Sequence, residues 1–162
     1  MIQDAVISPC GLFRYVLTRR WGDGPYMLFI MLNPSTADAR FNDPTIRRCI
    51  EFAKREGFGG LVVVNLYAFR ATKPAVLENT LDRVGPMNQA YLIDWATRPE
   101  CGKIVVAWGA HPIAKQRRIV PEMLIWMGCE LHCLGTTKHG QPRHPLYLRG
   151  NQPLERWNPP DA

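Results

Sequence analysis

Four short apolar runs dominate the chain: Tyr26 to Leu32, Leu61 to Val64, Ile104 to Ala107 and Glu130 to Leu134. Each is too short for a helix; the first three are unbroken by polar positions, the pattern of a strand buried on both faces, while Glu130 and His132 interrupt the fourth. Phe13 to Trp21 is also β-rich, and Trp21-Gly22-Asp23-Gly24-Pro25 is a strong turn signal. The two segments flanking it predict an N-terminal β-hairpin leading into the first buried strand. Between the runs the period changes. Asp43-Pro44 has the form of a helix start, and Ile46, Cys49, Ile50 and Ala53 keep helical spacing up to a stop at Gly57. Pro74 to Arg98 reads as helical with a break near Gly85-Pro86. Pro112 to Met127 reads as helical with a kink or restart at Pro121. From Gly135 the chain reads as loop.

The order β-β-α-β-α-β-α-β predicts an α/β domain with a mostly parallel central sheet covered by helices on both faces, a three-layer α/β/α arrangement. Residues 1–150 form one domain in this reading, and 151–162 a C-terminal tail. At 162 residues a single core suffices. No stretch approaches the roughly 18 apolar residues of a membrane span, and the N-terminus lacks a basic segment followed by an apolar run. A soluble, cytoplasmic protein is expected.

Five cysteines are scattered at Cys10, Cys49, Cys101, Cys129 and Cys133. Reduced thiols are expected of such a chain. Cys129, Leu131 and Cys133 alternate as the inward side of a strand. No second ligand pair stands at metal spacing, so neither a metal nor a cofactor is expected.

The net charge is +6. Between Lys103 and Arg149 lie seven basic residues (Lys103, Lys115, Arg117, Arg118, Lys138, Arg143, Arg149) against Glu122 and Glu130, and all four histidines fall there. Clustered cations suit a polyanionic partner. A solvated basic surface is the alternative.

In sheets of this kind ligands bind beyond the carboxyl ends of the strands. One end reads Asn33-Pro34-Ser35-Thr36-Ala37-Asp38. A second reads Asn65-Leu66-Tyr67-Ala68-Phe69-Arg70, where an Asn amide offers a donor and an acceptor to a pyrimidine edge. Tyr67 offers a stacking face or belongs to the core, and Arg70 is a candidate phosphate ligand. The last loop carries Lys138, Arg143, His144 and Pro145, and the His144 imidazole can donate to an oxygen that gains charge.

Together these motifs resemble the uracil-DNA glycosylase superfamily. Asn33-Pro34-Ser35 is similar to its first motif, Val64-Asn65-Leu66 to its base-reading strand, and His144-Pro145 to the start of its late His-Pro-Ser loop. Leu32 stands near that superfamily's glycine, and Leu146 in place of its serine. The fuller pattern, with Asp43-Pro44-Thr45-Ile46-Arg47-Arg48-Cys49 and His144-Pro145-Leu146-Tyr147-Leu148, looks like a bacterial and phage family known as domain of unknown function 1643.

The resemblance implies hydrolysis or recognition of an N-glycosidic bond in a nucleic acid or nucleotide. Asn33 would position water beside Pro34 and Ser35, and His144 would donate to the departing base. Asn65 would read the base edge, with Phe41 or Tyr67 stacked on it. Leu146 or Tyr147 would fill the gap left by a flipped base, and Lys138 and Arg143 would meet phosphate. The alternative is a non-catalytic nucleotide or nucleic-acid binding module. A third reading, a Ser35/His144 hydrolase, lacks the Gly-x-Ser-x-Gly elbow.

Overall fold

The structure is a computed structural model that describes residues 1–161. Seven strands form one sheet in the order β1-β2-β4-β3-β5-β6-β7. They are β1 (Ile2–Ile7), β2 (Arg14–Arg20), β3 (Tyr26–Met31), β4 (Gly60–Asn65), β5 (Cys101–Val106), β6 (Leu131–Cys133) and β7 (Glu155–Arg156). The helices are α1 (Pro44–Arg55), α2 (Pro74–Glu78), α3 (Asn88–Thr97) and α4 (Ile119–Trp126). No helix is long and apolar enough to cross a membrane among the described residues.

The first three apolar runs are strands that bury both faces, while β6 buries only Leu131 and Cys133 on one. Met27, Phe29, Met31, Leu61, Val63 and Val105 point into a core closed by Ile46, Cys49, Ile50, Phe52 and Ala53 of α1. Their neighbours Leu28, Ile30, Val62, Val64, Ile104 and Val106 point the other way, toward Leu77, Leu92, Ala96, Val120 and Leu124 of α2, α3 and α4. The period of two sorts alternate residues to opposite faces, so a run of six apolar residues feeds two cores.

The sheet is mixed, which corrects the expectation of a mostly parallel one. β3 runs parallel to β4 and β5, and β5 parallel to β6. The pairs β1–β2, β2–β4 and β6–β7 are antiparallel. The predicted hairpin is also rearranged. β2 does not pair with β3 across Trp21–Pro25; it pairs with β4, and β3 takes β4's other edge. Arg20 holds this connection open, donating to the carbonyls of Gly22 and Gly24. The N-terminal hairpin is made instead by β1, which the sequence pattern did not indicate, with β2.

Asp43 caps α1 as expected, its carboxylate accepting the Ile46 N–H at 2.9 Å with Pro44 at the first helical position. The chain between Pro112 and Trp126 restarts before Pro121. A 3-10 turn covers Pro112–Arg117, and α4 begins at Ile119. Pro121 then lies in α4's first turn, where its missing N–H leaves no bond unmade. Within residues 151–161, β7 extends the sheet, and Trp157 is buried with its backbone N–H bonded to Leu131 O at 2.9 Å.

Candidate functional site

A cleft of about 390 Å³ opens at the carboxyl ends of β3, β4 and β5. Asn33, Ser35, Asn65, His144 and Leu146 line it together. Tyr147 and Asp43 line it too, and the structure adds Arg14, Thr45, Thr72 and Trp108.

Asn65 ends β4 and is 1% exposed, yet neither its amide oxygen nor its amide nitrogen has a hydrogen-bond partner. Buried polar groups are ordinarily satisfied, because an unmade bond carries the full desolvation penalty. The backbone around it is anchored, with Asn88 Nδ2 donating to the carbonyls of Asn65 and Leu66 and Arg117 Nε to that of Leu66. A fixed main chain thus presents a side chain whose donor and acceptor are both unpaired.

Asn33 is the complement. Its Nδ2 donates to Ala71 O at 2.7 Å and Pro34 O at 3.1 Å, which fixes the amide orientation and leaves Oδ1 as the acceptor. Pro34 is buried outside the cleft lining, and its carbonyl also receives the Ala71 N–H. It shapes the loop rather than the cleft wall.

His144 begins a 3-10 turn, Pro145–Tyr147, with its Nδ1 accepting the Leu146 N–H at 3.2 Å. Its loop is tied to the sheet by Gly109 N–H to Pro142 O and Arg143 N–H to Gly135 O. Gly109 stands at φ +79, a conformation that glycine adopts without strain, as the chain turns from β5 toward this loop. Burial lowers the imidazole pKa, and Asp43 pulls the other way. Asp43 is the only carboxylate lining the cleft among the described residues.

Arg14, from β2, is 2% exposed. Its Nη1 donates to Ala37 O at 2.8 Å, while its Nε is buried without a partner. Burial lowers its pKa to about 10, opposed by Asp43, so it stays charged at neutral pH. The signal in the sequence was a single cation between Phe13 and Tyr15 in an apolar strand; a charge there needs a reason.

Other expected site residues lie elsewhere. Tyr67 is buried, its hydroxyl donating to Ile113 O at 2.7 Å, because the chain beyond Asn65 dives into the α3/α4 core. Phe41 is half exposed and outside the cleft lining, on a loop whose carbonyls at Asp38 and Phe41 are held by Arg19. Arg70 reaches back toward Gly11 O, and Lys138 and Arg143 are exposed away from the cleft. The aromatic surfaces that do line the cleft belong to Trp108 and Tyr147. Ser35 lines it too, but no Ser35–His144 hydrogen bond forms among the described residues, so the Ser/His pair is not assembled.

Fold and site together define an α/β domain with a polar cleft at the carboxyl ends of its parallel strands. The chain belongs to the family described as protein of unknown function (DUF1643), whose model matches residues 14–146. That span runs from Arg14 to Leu146 and so includes every cleft residue named above except Tyr147. Comparison with curated proteins and with solved structures gave no match.

Proposed function

We propose that the cleft takes a nucleobase compound, in a nucleic acid or nucleotide, and hydrolyses its base–sugar bond, on a three-layer uracil-DNA glycosylase-like fold. The observation that carries this reading is Asn65, whose buried amide offers an unpaired donor beside an unpaired acceptor. A pyrimidine edge presents the complementary pair.

The other roles follow from bonds already made. Asn33 Oδ1 holds a water against the sugar carbon, since its Nδ2 is fixed on Ala71 and Pro34. The sugar becomes cationic as the bond breaks, so the water needs orientation more than a strong base. Asp43 adds a negative charge near that cation. His144, with Nδ1 occupied, presents Nε2–H to the oxygen of the departing base, and loss of one such donor typically lowers a rate about 100–1000-fold. Single-turnover base release from DNA carrying uracil, mismatched thymine or modified bases, and from free nucleotides, tests the assignment. Release unaffected by Asn33→Ala and His144→Ala would overturn it.

A second reading is favoured by one observation: Leu146 stands in the cleft where the glycosylase-like motif carries a serine hydroxyl. The same cleft then binds without cleaving. Ligand binding with no base released from any substrate would select this reading.

A further inference from the structure

Arg14 is a cleft residue to which base reading and water positioning give no part. A buried cation is tolerated when it is paired and fully hydrogen-bonded. Arg14 is neither: one backbone carbonyl accepts from Nη1, Nε has no partner, and no carboxylate pairs with it among the described residues. The unpaired Asn65 amide lines the same cleft, on β4, the strand next to Arg14's β2 in the sheet. Strand order then sets the sequence across the cleft as Arg14, Asn65, Asn33 and finally the His144 loop, tied to the end of β5 through Gly109.

We infer that the ligand is a monomeric, anionic nucleobase compound, its ring edge at Asn65 and an oxyanion, phosphate or carboxylate, at Arg14. This rests on the reading of Asn65 as the base-contacting group. A monomer fits better than a polymer for two reasons. Arg14 is almost fully enclosed, so it can meet a terminal group but not a strand that must leave on both sides. The basic stretch expected to track a phosphate backbone is also partly occupied internally. Arg117 bonds to Leu66 O and Gln89, and Arg118 to Glu122 and Pro160 O.

Calorimetric titration of the full chain separates the cases. The probes are uridine, uridine 5′-monophosphate, uracil, uracil-6-carboxylate and a single-stranded deoxyuridine oligonucleotide. One of the two anionic monomers should bind about 10–100-fold tighter than its neutral counterpart, the range of a charge-assisted hydrogen bond. Preference for the monophosphate identifies phosphate at Arg14, and preference for the carboxylate identifies a charged base. The margin should collapse in Arg14→Gln and persist in part in Arg14→Lys, while Asn65→Leu should keep the margin and weaken the neutral and anionic monomers alike. Equal binding of neutral and anionic monomers, or tighter binding of the oligonucleotide, overturns the role of Arg14 and leaves the base site standing. Failure of every pyrimidine probe overturns both. The wild-type comparison decides even where a variant does not fold.

Discussion

The Nδ1 of His144 accepts the backbone N–H of Leu146 at 3.2 Å, so the neutral ring carries its proton on Nε2. A protonated ring would turn Nδ1 into a donor facing that N–H. This bond and burial both disfavour the charged form, and burial holds the pKa below its usual 6.5. Nitrogen-15 NMR should therefore show the Nε2–H tautomer and a midpoint below 6.5. A lowered pKa in the fold means that the unfolded chain binds more protons, so stability rises with pH. This contribution is complete above 6.5 and is lost as pH falls through the folded midpoint. A midpoint above 6.5, or the opposite tautomer, would remove His144 as a neutral donor.

Asn65 should separate stability from function. Its amide is buried without partners, so an apolar side chain of similar shape relieves a penalty rather than breaking a bond. Asn65→Leu is expected to leave the melting temperature unchanged or raise it, while pyrimidine binding falls at least about tenfold, the scale of one lost hydrogen bond in a closed site. A large drop in melting temperature would mean that the amide has a structural partner.

Asp43 has two parts that one pair of substitutions distinguishes. Its Oδ1 caps α1, and Asn caps about as well as Asp. Asp43→Asn should thus melt close to the wild type but lose base release, if the charge near Arg14 and His144 stabilises the cationic sugar. Asp43→Ala should lose release and also about 0.5–2 kcal/mol of stability by denaturant titration. Full activity in Asp43→Asn would reduce this residue to a helix cap.

The strands and α1 were legible because burial on two faces and helical spacing are local patterns. Pairing was not. Nothing in Trp21–Pro25 distinguishes a tight hairpin from a connection that lets β3 pass to the far side of β4, since both want Gly and Pro. β1 escaped notice because it is an edge strand whose first three residues are exposed, and β7 because it is two residues long. In the site, Asn33, Asn65 and His144 were visible because strand ends are where such sheets gather polar groups. Tyr67 was not resolvable: an aromatic two residues past a strand end points either to the cleft or to the core, and only the packing of α3 and α4 decides. Phe41 sits in the long loop between β3 and α1, whose course depends on the distant Arg19 of β2.

Trp157 should matter out of proportion to its place five residues before Ala162. Its ring packs edge-to-face on Trp108 with centroids 5.3 Å apart, and its Nε1 donates to Gly140 O at 2.9 Å. Trp108 in turn donates to Gln141 Oε1 at 3.0 Å and forms part of the cleft wall. Deleting the buried indole leaves a cavity behind Trp108 and frees the Gly140–Gln141 turn that leads into the His144 loop. Trp157→Ala is expected to destabilise the fold by about 3–5 kcal/mol, the range for buried Phe or Trp truncation. Truncation after Gly150 should cost more, since it also removes β7 from β6. Denaturant titrations of both variants measure this, and Trp157→Phe should recover part of the loss by refilling the space. A truncated chain with wild-type stability would show that residues 151–161 lie on a core complete without them.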